Sequence, residues 1–68
     1  MNISARNVLN GTIIEVTEGA TTAHVKIQVG DAVVTASITN DAVKDLGLKK
    51  GMAASAVIKA SDVLVAVE

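Results

Sequence analysis

Apolar and polar side chains alternate with a period of two along most of this chain, which restricts it to a fold built from half-buried β-strands. From Thr22 to Val29, residues Ala23, Val25, Ile27 and Val29 share one face, while Thr22, His24, Lys26 and Gln28 share the other. Val33 to Thr39 repeats the pattern, with Val34, Ala36 and Ile38 opposite Val33, Thr35, Ser37 and Thr39. Gly30 and Asp31 separate the two runs and fit a tight hairpin turn. A long first strand is expected from Ile3 to Thr17, and two late strands at Met52 to Lys59 and Val63 to Val67, split by Ala60-Ser61-Asp62. The last of these is apolar on both faces, as expected of a strand covered by its own barrel on one side and a neighbouring subunit on the other. Between the hairpins, Thr39 to Gly47 carries the punctuation of one short helix, with capping side chains first, acids early and Gly at the end. The resulting order, β-β-β-α-β-β, is that of a mainly β, five-stranded OB-like barrel.

A barrel this small needs support. At 68 residues the chain is a single domain, 1–68, with no linker or repeat, and a domain of that size buries only about 60% of its unfolded surface. A disulfide is excluded by the absence of Cys, and a closed structural metal site by the single His24. Homo-oligomerisation remains. Half of the residues are apolar and the mean hydropathy is +0.49, more apolar surface than so short a chain hides alone.

Composition also narrows function. With no Phe, Trp or Tyr and a formal net charge of -1, the chain lacks both the stacking residues and the basic groove of a single-stranded nucleic-acid binder. The N-terminus has no signal-peptide pattern and no apolar run approaches a membrane span of about 18 residues, so the expected location is the cytoplasm, with no membrane partner. Nucleophilic catalysis requires a nucleophile, a base and an orienting group, and one His on a regular strand with scattered Ser and Thr does not supply them. His24 therefore reads as a solvated or interface residue, and Asp41 with Asp45 as the polar face of a surface helix. No enzymatic activity and no bare metal cation are expected.

Two short segments far apart in sequence share a different vocabulary. Ser4-Ala5-Arg6-Asn7 and Lys59-Ala60-Ser61-Asp62 each combine a cation, a hydroxyl and small residues that expose backbone N–H groups. A tetrahedral dianion is recognised by such donors: Arg as a fixed fork, Lys as a point charge, Ser and amides as neutral groups. An Arg near a terminus or a Lys before a turn is also commonly no more than a solvated charge, so residue types alone leave both readings open.

The combination of Met1-Asn2-Ile3-Ser4-Ala5-Arg6-Asn7, Leu9-Asn10-Gly11-Thr12-Ile13, Leu46-Gly47-Leu48-Lys49-Lys50-Gly51 and Ala56-Val57-Ile58-Lys59-Ala60-Ser61-Asp62-Val63 resembles, end to end, the molybdenum-pterin-binding (Mop) family, the molbindins. That resemblance implies binding, storage and buffering of molybdate or tungstate as the ligand. It implies OB-type barrels that exchange strands into dimers, three of which form a hexamer with oxyanion sites at subunit contacts. By resemblance Ser4 and Arg6 come from one subunit and Lys59, Ala60 and Ser61 from its neighbour, with Thr39 as a further hydroxyl donor and Ala5 and Asn7 backing the first strand. A second class of site near the symmetry axes would fall near Thr21, Thr22 and His24. Ala60 departs from relatives that carry Ser there, which removes one side-chain donor but leaves the backbone N–H. The other reading is a structural or interaction module serving molybdenum-cofactor or molybdate-transport proteins. A pterin ligand is disfavoured because nothing in the chain stacks on its ring.

Overall fold

The computed structural model describes residues 2–68, so Met1 of the opening motif lies outside the described residues. Strands β1 (Asn7–Glu18), β2 (Thr22–Val29), β3 (Ala32–Thr39) and β4 (Ala53–Ile58) form one antiparallel sheet in the order β3-β2-β1-β4. Helix α1 (Asn40–Leu46) joins β3 to β4, and a 3-10 turn (Ala60–Asp62) follows β4.

The two hairpin strands carry the alternation read from the sequence. Ala23, Val25 and Ile27 are buried on β2, while Val34, Ala36 and Ile38 pack against them from β3. The hairpin closes on Gly30 and Asp31 with Val29 opposite Ala32; Gly30 has φ 59 while Asp31 is not among the positive-φ residues, the order of signs used by type II′ turns. The core is small: Ile13, Ala23, Val25, Ile27, Val43 and Ala56 are its buried side chains.

β1 serves two partners. Its first half pairs with β4 from Asn7↔Ile58 to Thr12↔Ala53, and its second half with β2 from Thr12↔Gln28 to Glu18↔Ala23. The register shifts between Ile13 and Glu15, leaving Ile14 as the extra residue of a β-bulge. The shift lets Ile13 and Val16, an odd number of residues apart, both reach the core, and it bends the strand between its partners. Gly11 sits at this crossing because a Cβ there would collide with the Gln28 carbonyl oxygen.

Helix α1 forms where capping residues predict it. Thr39 Oγ1 accepts the Ala42 N–H at 3.0 Å. At the other end Gly47 takes φ 64, its N–H donates to Lys44 O, and the Leu48 N–H donates to Val43 O. That is the Schellman pattern, completed by Val43 and Leu48 packing into the same core.

The largest differences from expectation lie in the first and last strands. β1 begins at Asn7, four residues after Ile3, because β4 offers it no partner beyond Ile58. β4 is shorter by one residue at each end than Met52 to Lys59. The expected fifth strand does not form within the chain: residues 63–68 have no regular structure, and Leu64, Val65 and Val67 are 93%, 89% and 92% exposed. A strand requires an adjacent sheet edge, and residues 63–68 pair with neither edge of their own sheet. Among the described residues the architecture is thus a four-stranded antiparallel sheet with one short helix, mainly β as expected.

Candidate functional site

The pair Asn7↔Ile58 ends the β1/β4 ladder, and both chains leave the sheet there. Ser4, in a bend, with Ala5 and Arg6 leads into β1; Lys59, Ala60 and Ser61 lead out of β4. The two donor segments, 51 residues apart between Asn7 and Ile58, therefore share one corner of the fold. The side chain of Asn7 fastens that corner: its Nδ2 donates to the Ile58 carbonyl oxygen at 3.2 Å in a half-buried position.

Ser4, Arg6, Lys59, Ala60 and Ser61 are exposed, and Ala5 and Asn7 are half-buried. In the 3-10 turn the first bonds run from Asp62 N to Lys59 O and from Val63 N to Ala60 O. The N–H groups of Ala60 and Ser61 precede those bonds and point to no carbonyl of the turn. Among the described residues the one ion pair is Lys26–Glu15 at 3.9 Å, exposed on both sides and energetically minor, so neither Arg6 nor Lys59 is neutralised by a carboxylate contact. The corner thus offers two cations, two hydroxyls and free amides to an anion.

Thr39 lies elsewhere. It pairs with Thr22, at the end of the sheet opposite Asn7, and its hydroxyl oxygen caps α1. Thr21 and Thr22 are at that same end, where Asn40 N donates to Thr21 O. His24 is exposed, opposite Thr17 on β1 and Ser37 on β3. Within one chain none of these joins the corner of Arg6 and Lys59. No three His, Cys, Asp or Glu side chains among the described residues gather to hold a cation.

Sequence reasoning did not anticipate an apolar groove of about 450 Å³ between the two edge strands, lined by Val34 and Ile38 of β3 and Ala56 and Ile58 of β4 over Val25 and Ile27. Its signal in the sequence was indirect, a fifth apolar segment with no place in the sheet. That the Arg6 and Lys59 segments leave the sheet at one corner of a single chain was also not foreseen, since it depends on the β1/β4 register.

The chain belongs to the TOBE domain family, whose pattern matches residues 3–65. Within it the chain groups with the molybdenum-pterin-binding proteins, as its terminal motifs indicated: molybdenum-pterin-binding protein 3 of Clostridium pasteurianum is 44% identical over 66 residues, covering 96% of this chain and 97% of that one. A molybdate-binding protein from Sporomusa ovata superposes with a TM-score of 0.94 at 34% identity, covering 98% of this chain and all of that one. ModG, described as a cytoplasmic molybdate-binding protein and solved with molybdate bound, superposes with a TM-score of 0.89 at 45% identity, covering 94% of this chain and 46% of that one. No helix among the described residues is long and apolar enough to cross a membrane.

Proposed function

We propose that this chain, a single domain over residues 1–68, binds molybdate or tungstate in the cytoplasm and stores or buffers it without catalysing a reaction. The observation that carries the reading is the Asn7↔Ile58 pairing, from which the segments bearing Ser4 and Arg6 and those bearing Lys59 and Ser61 leave the sheet at one corner, with no carboxylate paired to either cation among the described residues. Relatives and structural neighbours that bind molybdate support the choice of anion.

The dianion sheds its water and is held by N–H and O–H donors from Ser4, Arg6, Lys59, Ala60 and Ser61, with Arg6 and Lys59 offsetting its charge. Ala5 and Asn7 back these donors from the strand. One corner on the surface leaves part of the ion in water, so a neighbouring copy closes the cage, and Thr39, remote in its own chain, contributes from such a neighbour. The assembly is a homo-oligomer, a hexamer of three strand-exchanged dimers. The apolar groove between β3 and β4 and the exposed apolar residues 63–67 support that arrangement, because the tail of one copy supplies a fifth strand that fills the groove of another.

Selectivity follows from a preformed cage. Donors spaced for the larger oxyanions leave sulfate under-coordinated, and each buried donor left unpaired costs about 1–3 kcal/mol. Equilibrium dialysis of molybdate against excess sulfate is expected to show molybdate uptake nearly undiminished; equal uptake of the two anions would defeat the reading.

A further inference from the structure

We infer that Asn7 is a positioning residue for oxyanion selectivity: its side-chain amide clamps the two donor segments together without itself touching the anion. The inference rests on the molybdate-binding reading of the corner and assigns a division of labour inside it.

The bond from Asn7 Nδ2 to Ile58 O crosses the last pair of the β1/β4 ladder, where backbone pairing stops. Past that point the segments bearing Ser4, Arg6, Lys59 and Ser61 have no cross-strand backbone partner in each other, and unpaired strand ends fray at little cost. Asn7 opposes this at both segments. A peptide unit is planar, so the Ile58 carbonyl and the Lys59 N–H turn together, and fixing the carbonyl fixes the direction in which the chain enters Lys59 and the 3-10 turn. On the other side, Asn7 is bonded directly to Arg6, so the same contact sets where the Arg6 backbone enters the corner. With Nδ2 directed at Ile58 and the residue half-buried, Asn7 faces the sheet while the exposed donors face outward. Loose donors still attract any dianion by charge, whereas donors held at fixed spacing distinguish a large oxyanion from a small one, so loss of the clamp should reduce discrimination more than charge attraction.

The experiment compares wild type with Asn7→Leu, which is similar in size but cannot donate, Asn7→Gln, which keeps an amide donor on a longer arm, and Arg6→Ala. Each assembled protein is titrated with molybdate and with sulfate, and its backbone amide hydrogen exchange is recorded without anion. In Asn7→Leu, exchange at Asp62 and Val63, whose amides bond back to Lys59 and Ala60 across the 3-10 turn, is expected to quicken before any anion is added. Its molybdate affinity is expected to fall roughly 10–100-fold, as when residues supporting a metal's ligands are removed. Sulfate affinity falls less, the native mass is unchanged, and Asn7→Gln recovers most of the molybdate affinity. Unaltered exchange and affinity in Asn7→Leu beside lost binding in Arg6→Ala overturn the clamp but leave the anion site standing. Equal losses for molybdate and sulfate also overturn it, since a purely structural contact would produce them. Unaltered affinity in Arg6→Ala overturns the site and the clamp together. If Asn7→Leu does not assemble, Asn7→Ser, whose hydroxyl is too short to reach Ile58, is judged by the same criteria.

Discussion

The sequence around Thr39 makes its local capping role legible, while the distant role proposed for it leaves no local mark. Its place before Asn40-Asp41-Ala42 marks a helix N-cap, and its Oγ1 does accept the Ala42 N–H at 3.0 Å. Thr39→Ala is accordingly expected to lose about 1 kcal/mol of stability, seen as a fall of roughly 4–8 °C in Tm for a domain of this size. Thr39→Asp keeps a capping oxygen and recovers the Tm, but it replaces a hydroxyl donor with a negative charge, so its molybdate affinity should fall. Calorimetry and anion titration on the two variants separate the effects; full affinity in Thr39→Asp would remove Thr39 from the anion site. Arg6, Lys59 and Ser61 stand out in the sequence only as candidate donors, by residue type and by the motifs around them. The contact of Asn7 with Ile58 was not, because it depends on strand register across 51 residues, which no local pattern encodes.

At the scale of elements, alternation located β2 and β3 because one face of each packs on the core of this same chain, fully buried on β2 and half-buried on β3, so their side chains record which way is in. Capping chemistry located α1 for a similarly local reason. Both terminal segments read less well. Ile3 to Arg6 looks strand-like, yet the sheet partner it would need ends at Ile58. Residues 63–67 carry the composition of a doubly covered strand, and composition does not say whose sheet covers it. Deleting 63–68 tests the proposed exchange. The shortened chain is expected to run as a monomer in native mass measurement, with the groove between Val34 and Ile58 open to an apolar dye, whereas the full chain binds little dye and runs as an oligomer. A shortened chain that keeps the full oligomer would show that the tail is not the exchanged strand.

For the whole molecule, the six buried core side chains among the described residues are few for a chain of 68 residues. Burying a Val or Ile fully contributes about 1.5–3 kcal/mol, and two of these six are Ala, which give less. Folding, assembly and anion binding should therefore be linked, because the proposed cage would form only when the corner is folded and closed by a neighbour, whereas the unfolded chain has only scattered donors. A ligand that binds only the native state stabilises it by RT ln(1 + [L]/Kd), about 2.7 kcal/mol at a hundredfold excess over Kd. For a domain of this size that corresponds to a rise of roughly 10–20 °C in Tm. Calorimetry should show Tm climbing with the logarithm of molybdate concentration and with protein concentration, while sulfate at the same ionic strength moves it little. The dependence on protein concentration distinguishes a cage between copies from a pocket within one: a Tm that rises with molybdate yet ignores protein concentration would place the anion inside a single chain. A Tm that stays flat at a hundredfold excess would mean that folded and unfolded chains take up the anion alike, which no preformed set of donors at the Asn7–Ile58 corner can do.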